Sequence, residues 1–309
     1  MPPMPPTLFV EQVLNGFQFG LMLFLLAAGL TLVLGIMDTI NLAHGSLYMI
    51  GAYLTATLVG ATGNFWLAVP LAVLGTALVG MLLELSVLRQ LYRRDHLSQV
   101  LATFALILII NEVVRMIWGS QPLLLSTPEG LSGPVEILPG LYYPAFRLVI
   151  IGVGLLVALL LFWLVNRTKV GMWLRAGASN REMAQAMGVP IKPLFTLLFG
   201  VGAGLSAVAG AFLGPILAVQ IGMGESILIL AFVVIVIGGI GSIKGALVGA
   251  LLVGLVDTAG RAFLPLLLSQ VASPEVASNL GPALASILIY LLMAVVLFLR
   301  PQGLFPVRT

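Results

Sequence analysis

The stretch 35–53 of the sequence, GIMDTINLAHGSLYMIGAY, carries polar side chains that could bind a ligand in otherwise apolar surroundings. Asp38, Asn41 and His44 follow a long apolar run, and His44 is one of only 2 histidines in the chain. An asparagine and a neutral histidine offer hydrogen bonds without a fixed charge. The pattern therefore predicts either hydrogen bonding to a polar ligand or a structural role in which these side chains satisfy a break in a buried helix.

The composition identifies the surroundings of this stretch as a membrane protein. Of the 309 residues, 60% are hydrophobic and 8% are charged, and the mean hydropathy is +1.16, whereas a soluble domain has about 25% charged residues. Apolar runs recur that are long enough to cross the ~30 Å hydrocarbon core as helices. We therefore predict an all-α polytopic fold of about 8–9 transmembrane helices in a single domain over residues 1–309. The predicted helices are 8–35, 44–60, 65–88, 97–118, 146–166, 192–214, 226–240, 246–264 and 282–299.

Positive charge divides the loops between these helices into two sets. Lysines and arginines cluster in 89–96, in 166–192, at Lys244 and in the C-terminal tail, and such residues favour the cytoplasmic side of a membrane. Alternation of the helices then predicts an external N-terminus and a cytoplasmic C-terminus, with the first helix retained as an anchor. The opposite loops, 119–145 and 265–282, are either a surface for an extracytoplasmic partner or plain connectors.

Glycines bracket the polar stretch and recur in a second interruption, VVIVIGGIGSIKG. Helices broken at membrane depth are tolerated where they are buried or line a cavity, and such breaks mark substrate sites in transporters. Small residues spaced four apart, as in FGVGAGLSAVAGAFLG, also predict close helix packing. The residues that the two interruptions suggest for a substrate pathway are Asp38, Asn41, His44, Gly45, Ser46, Gly238 and Gly239.

Charged residues inside the apolar runs come in helical pairs. Glu112 and Arg115 are three residues apart, and Asp257 and Arg261 are four apart, so each pair shares one face of its helix. Isolated charges in lipid are costly, which predicts either local pairing or a position at the wall of a wet external vestibule.

The long cytoplasmic stretch contains a short predicted helix, SNREMAQAMG. Ser179 or Asn180 can cap its N-terminus, Glu182 suits the first turn, and Gly188 can supply a left-handed stop. A helix of this length is not stable alone. It is therefore either a docking element for a partner, with one face formed by Met183, Ala184 and Met187, or an ordinary interfacial helix.

Several kinds of site are missing from the sequence. With 0 cysteines, thiolate chemistry and cysteine metal ligation are excluded. The chain has no P-loop motif, no H-E-x-x-H and no G-x-S-x-G, and its histidines lack partners at metal-site spacing. Its basic residues are few and scattered. We therefore expect no catalytic residue, no metal site, no cofactor bound by this chain and no nucleic-acid partner.

Taken together, in order and spacing, these segments resemble the LivH-type permease family of the branched-chain amino acid ABC importers. The stretches INLAHGSLYMIGAY, GGIGSIKGALVGALL and LRPQGLF carry the resemblance. It implies a non-catalytic permease subunit with the ABC importer architecture. The implied partners are a second related permease in a heterodimer, two ABC ATPases that bind ATP and Mg²⁺, and a periplasmic or lipid-anchored substrate-binding protein.

The same resemblance gives the cytoplasmic stretch, about 169–190, a role. In RAGASNREMAQAMGV, the E-x-A-x-x-x-G spacing is that of the loop by which importer permeases contact their ATPase, with a methionine where the general motif has a second alanine. The residues that this implies for ATPase coupling are Arg175, Glu182, Met183, Ala184, Met187 and Gly188.

Other functions stay open at this point. A stand-alone channel or a secondary transporter is one alternative, although a coupled carrier is expected to show unpaired acids in mid-membrane. An intramembrane enzyme is another, without a catalytic constellation to support it. Within the resembled family, urea, short amides and aromatic carboxylates are alternative substrates to branched-chain amino acids.

Overall fold

The computed structural model describes residues 6–37, 39–92, 94–270 and 272–306. The first half contains α1 (Pro6–Met37), α2 (His44–Thr62), α3 (Phe65–Leu83), a π-helical segment (Glu84–Leu88), α4 (Arg89–Leu91) and α5 (His96–Trp118). A hairpin of β1 (Pro134–Leu138) and β2 (Leu141–Pro144) follows. The rest consists of α6 (Ala145–Arg167), α7 (Lys169–Ser179), α8 (Arg181–Ala186), α9 (Ile191–Leu213), α10 (Met223–Gly238), α11 (Ile243–Leu268) and α12 (Pro274–Leu299).

The helices confirm the predicted polytopic fold. In the described part of the chain, 7 helices are long and apolar enough to cross a membrane. Two further helices, α2 and the shorter apolar α10, also lie where the sequence predicts them. Because apolar runs of this length hydrogen-bond their own backbone only as helices, hydropathy alone locates them well.

The first helix is the centre of the fold rather than a peripheral anchor. In the most apolar part of α1, 78% of the residues are buried, the same share as in α9. It packs against α6, α9, α10 and α11. The approach to α11 is so close that a Cβ on Gly254 would lie 2.5 Å from the carbonyl oxygen of Gly16. The predicted tight packing through small residues is therefore confirmed at the contact between α1 and α11.

The outer helices present their apolar side chains to the surroundings. Only 17–28% of the residues are buried in the most apolar windows of α3, α5, α6, α11 and α12. Exposed leucines, isoleucines and phenylalanines on these helices need lipid or another membrane protein as their neighbour.

Segments with high positive charge gather at one end of the bundle. There Arg89 on α4 contacts Thr196 on α9, and Arg181 on α8 donates to the carbonyl oxygen of Ile36 at the end of α1, at 3.2 Å. The chain end reaches the same place, since the backbone N–H of Phe305 donates to the carbonyl oxygen of Gly238. The predicted alternation of the helix ends agrees with this arrangement, and the assignment of this end to the cytoplasm stays a prediction.

The opposite end has structure that the sequence analysis did not anticipate. The loop after α5 contains the antiparallel hairpin β1–β2. An isolated bridge also pairs Leu123 with Val219, through N–H···O bonds of 2.8 and 3.0 Å, and so ties this loop to the connection between α9 and α10. The loop after α5 is therefore tied into the fold by backbone pairing, and its role towards an extracytoplasmic partner stays a prediction.

Candidate functional site

A cavity of about 780 Å³ opens at the end of the bundle that carries the hairpin. Its wall comes from the N-terminal part of α1, from Tyr48 of α2, from the first turn of α6, from the end of α9 through the first turns of α10, and from the middle of α11. A volume of this size is ample for a small solute. The cavity is open to the surroundings rather than fully enclosed.

One wall of the cavity is built from amides and an arginine. Gln12, Asn15 and Gln18 follow one side of α1 at three-residue spacing. Asn15 Oδ1 accepts from the guanidinium of Arg147 on α6 and, at 2.9 Å, from the hydroxyl of Tyr143. Burial raises the pKa of Tyr143 above its ordinary value, so its hydroxyl remains a hydrogen-bond donor to Asn15. This network holds the arginine at the mouth of the cavity.

A second charged group lies on α11. Arg261 Nε donates to Asp257 Oδ1 at 2.8 Å, and Arg261 Nη2 lies 3.4 Å from Ser286 Oγ on α12. Asp257 is 7% exposed and lines the cavity together with Arg261. The structure agrees with both predicted roles of this pair, because the two side chains bond to each other and both line the cavity.

The remaining wall is largely apolar. It includes Phe19 of α1 and a run of residues between the end of α9 and the first turns of α10, namely Leu213, Ile216, Leu217, Ala218, Met223, Ile227 and Leu230. A cavity with charged groups on some walls and apolar side chains on another can bind a small solute that has a charged part and an apolar part.

The polar residues between α1 and the first turn of α2 do not line this cavity, although Tyr48 one turn further along α2 does. The structure gives these polar residues packing contacts. His44 is completely buried, and its Nε2 lies 2.9 Å from Ser206 Oγ on α9. Its other ring nitrogen makes no hydrogen bond of good geometry in the described structure, although it interacts with the backbone of Leu26. Asn41 Oδ1 accepts from the N–H of Ala43 at 3.0 Å and so caps the turn into α2. Asp38 falls outside the described residues.

The glycines of the predicted pathway also serve helix contacts. A Cβ on Gly45 would lie 2.3 Å from the carbonyl oxygen of Gly224, and Ser46 beside it is buried. Gly238 approaches α11 in the same way, since a Cβ there would lie 2.3 Å from the carbonyl oxygen of Gly245. Gly239 has a φ of 103°. The six predicted pathway residues that the structure describes therefore lie outside the cavity wall, and their substrate role stays a prediction.

Helix termination explains the second glycine stretch. The C-terminal carbonyls of α10, on Ile237 and Gly238, accept N–H bonds from Leu304 and Phe305, both at 2.9 Å. The tail can approach this closely because residue 303 is a glycine, with a φ of 81°. The glycines of GGIG thus end α10, and the segment PQGLF supplies the N–H groups that bond to the last carbonyls of this helix.

The stretch 169–190 forms two helices, α7 and α8, of which only the second was predicted from the sequence. In α8 the side chain of Asn180 accepts from the N–H of Met183 at 2.9 Å, and Gly188 has a φ of 88°, as the predicted cap and stop require. Met183 and Met187 are 59% and 80% exposed, but Ala184 is 4% exposed. Of the predicted docking face, Met183 and Met187 are therefore open to a partner, whereas Ala184 packs inward, and the docking role of the face stays a prediction.

The other residues implied for ATPase coupling lie at the surface. Glu182 and Arg175 are exposed. Arg175 donates to the carbonyl oxygen of Val165, near the end of α6. Met183 of α8 and Met187, which directly follows this helix, are largely exposed, which keeps them available to a partner.

A buried network connects α8 to the rest of the bundle. Arg181, at the start of α8, lies over the ring of Phe195 at 5.4 Å, and that ring packs edge-on against Tyr92. Tyr92 donates to Glu84 at 2.8 Å in the π-helical segment, and Arg89 forms an ion pair with Glu84 at 3.0 Å. A movement of α8 would therefore reach α3 and α9 through packed side chains.

Metal binding finds no support in the described residues, which contain no group of three or more His, Cys, Asp or Glu side chains that could hold an ion. The sequence analysis missed Gln12, Asn15, Gln18 and Arg147. Their signal was a series of amides along the side of an apolar helix.

Comparisons with known proteins agree with the architecture. A family model described as "Branched-chain amino acid transport system / permease component" matches residues 12–297. LivH of Escherichia coli (strain K12), a high-affinity branched-chain amino acid transport system permease protein, is 30% identical over 278 residues, which cover 83% of this chain and 87% of LivH. BraD of Pseudomonas aeruginosa, which has the same description, is 28% identical over 308 residues, 96% of this chain and 95% of BraD.

A second type of permease is related as well. LivM of Salmonella typhimurium, also a high-affinity branched-chain amino acid transport system permease protein, is 27% identical over 313 residues, which cover 91% of this chain and 67% of LivM. No solved structure matches the chain significantly. Since the family model spans almost the whole sequence, the chain belongs to the family of branched-chain amino acid transport system permease components.

Proposed function

We propose that this chain is a permease subunit of an ATP-driven importer in the bacterial inner membrane, and that it translocates branched-chain amino acids delivered by a periplasmic or lipid-anchored binding protein. The observation that carries the proposal is the family match over residues 12–297. The existence of LivH and LivM relatives supports a heterodimer with a second, related permease.

The whole chain acts as one transmembrane domain without catalytic residues or a cofactor of its own. ATP and Mg²⁺ belong to two partner ATPases, which dock on the segment 169–190. Exposed methionines at 183 and 187 support this docking site, because flexible apolar side chains suit a partner groove. The open cavity is the external half of the pathway, and the second permease closes its open side.

Reconstitution into vesicles tests the proposal. The chain is assembled with the permease and ATPases encoded beside it, and uptake of radiolabelled leucine is measured with the binding protein added and ATP supplied to the ATPases. We expect accumulation that needs both ATP and the binding protein. The matched control replaces ATP by a non-hydrolysable analogue in the same vesicles.

Two results would contradict the proposal. Leucine uptake driven by a proton or sodium gradient without ATP would make the chain a secondary transporter. ATP-driven uptake of urea, short amides or aromatic carboxylates in place of leucine would keep the importer and replace its substrate.

A further inference from the structure

The cavity contains a cation with no acidic partner. Arg147 makes no ion pair with a carboxylate among the described residues, whereas Arg261 is paired with Asp257. Among the charged groups lining the cavity, Arg147 is therefore the one without an ion-pair partner, and the nearby carboxylate of Glu11, which acts on Tyr143, is not part of the cavity wall. An arginine without an ion-pair partner in the wall of a cavity is a candidate contact for an anionic group of a ligand.

The arginine is held in place by a neutral group. Asn15 Oδ1 accepts from its guanidinium, and the side-chain amide of Asn15 in turn donates to Gln12 Oε1 at 3.4 Å. An arginine has five N–H donors in a planar fork that matches a carboxylate in two-point contact. Because its one described partner is an amide oxygen, the fork keeps donors available for an anion.

Asp257 on α11 lines the same cavity as Arg147 and has the opposite charge. Asp257 gives one carboxylate oxygen, Oδ1, to Arg261, and its Oδ2 accepts no hydrogen bond from any described residue. Both α6, which carries Arg147, and α11, which carries Asp257, pack against α1. The two charged groups therefore reach one cavity from different helices. A free carboxylate oxygen in such a site is a partner for an ammonium group.

The apolar wall lies in the same space. Phe19, Leu213, Ile227 and Leu230 line the cavity beside these charged groups. They provide contacts for a branched or linear alkyl chain but no hydrogen bonds. One molecule that satisfies an anion site, a cation site and an apolar wall together is an α-amino acid with an apolar side chain.

We infer that the cavity is a binding site within the permease for a zwitterionic apolar amino acid, with its carboxylate on Arg147, its ammonium on Asp257 Oδ2 and its side chain against Phe19, Leu213, Ile227 and Leu230. The inference rests on the proposed function and deepens it. If this is so, the permease itself recognises both the carboxylate and the ammonium group of its substrate, in addition to any selection by a binding protein. Urea and aromatic carboxylates each lack at least one of the required groups.

Ligand protection of a single cysteine tests this site without ATP or transport. Because the chain has 0 cysteines, Ser226→Cys places one thiol in the cavity wall of the assembled transporter in detergent, where Ser226 is a lining residue. Labelling by an impermeant maleimide is timed with leucine, with leucinamide, which lacks the carboxylate, or with 4-methylpentanoate, which lacks the ammonium. Leucine at ten times its dissociation constant should slow labelling about tenfold, by mass action.

The controls separate binding from general effects. Leu124→Cys lies in the loop at the same end and is 88% exposed, so leucine should leave its labelling unchanged. Arg147→Gln should reduce protection by leucine to the level of leucinamide, and Arg147→Lys should restore part of it. Arg115→Gln, which changes an arginine paired with Glu112 outside the cavity, should keep full protection.

Three results would overturn the inference: no protection of Ser226→Cys by leucine, equal protection by 4-methylpentanoate, or unchanged protection after Arg147→Gln. If Arg147→Gln fails to assemble, Arg147→Lys with the two analogues still decides, since equal protection by leucinamide and leucine would also overturn it. ATP-driven leucine uptake without protection rejects this site alone, whereas protection without ATP-driven uptake rejects only the proposed function.

Discussion

Replacing Glu84 by leucine should destabilise the protein because this carboxylate is the acceptor of a buried network. Glu84 is completely buried and accepts from Arg89 at 3.0 and 3.2 Å, from the Tyr92 hydroxyl at 2.8 Å and from the Thr196 hydroxyl at 2.7 Å. Hydrogen bonds to a charged acceptor contribute about 1.5–3 kcal/mol each. The effect on stability depends on which donors find another acceptor.

Two of these donors have an alternative. The Arg89 side chain is 35% exposed and can turn to water, and Thr196 Oγ1 already lies 3.2 Å from the carbonyl oxygen of Lys192. The Tyr92 hydroxyl has no second acceptor among the described residues. We therefore expect Glu84→Leu to lower the free energy of unfolding by about 2–4 kcal/mol, because one donor is left without an acceptor and two others make weaker hydrogen bonds.

The pH dependence gives a second sign of the same network. Burial, together with the bond to Glu84, raises the pKa of Tyr92 above its ordinary value of about 10. The tyrosine then contributes stability that is complete below about pH 10 and falls as the pH rises above it, because the unfolded state loses its proton first. This decline should be smaller in Glu84→Leu.

The assay is SDS unfolding of the purified complex in mixed micelles, with Glu112→Leu as the matched control. Glu112 forms its ion pair with Arg115 at 2.8 Å, and both side chains are about half exposed. Exposed pairs of this kind contribute about 0–1 kcal/mol. Equal effects of the two substitutions, or a loss below about 1 kcal/mol for Glu84→Leu, would refute the reasoning.

Three further predictions concern packing, docking and orientation. Gly45→Ala should lower the free energy of unfolding by about 1–3 kcal/mol, because the added Cβ would lie 2.3 Å from a backbone oxygen of α10. Gly60→Ala adds a Cβ that faces open space and should be neutral in the same unfolding assay. Ala184→Glu should disrupt the fold of the segment 169–190. Met187→Glu should instead leave assembly of the permease pair intact and uncouple ATP hydrolysis from transport. Equal expression, stability and coupling for the two variants would contradict this prediction. Leu124→Cys should react with an impermeant reagent in intact cells with a permeable outer membrane, and reaction only after lysis would reverse the proposed topology.

The helices could be predicted from sequence because their cause is local. A continuous apolar run must hydrogen-bond its own backbone in a membrane, so its position follows from composition alone. Helix α7 was missed because it is amphipathic, with buried Leu174 and exposed Arg175. The central place of α1 was missed because an apolar run does not state whether lipid or protein surrounds it.

The site was only partly predictable. A glycine in the sequence indicates that another group packs closely against the backbone, but it does not show which group that is. Gly45 and Gly238 meet backbone from α10 and α11, which the spacing of the residues could not show. The cavity depends on contacts such as Asn15 with Arg147, 132 residues apart. Such pairings arise from tertiary packing. The pair Asp257 and Arg261 was visible because both residues lie on one helix.

Blocking the cavity tests the central claim most directly. In vesicles that contain the complete transporter, the initial rate of ATP-driven leucine uptake is measured before and after Ser226→Cys is labelled with a bulky maleimide, with labelled Leu124→Cys as the control. If this chain forms the external half of an importer pathway, labelling at position 226 reduces uptake to the rate seen without ATP, and labelling at position 124 leaves it unchanged. An unchanged uptake rate with position 226 fully labelled would contradict the account.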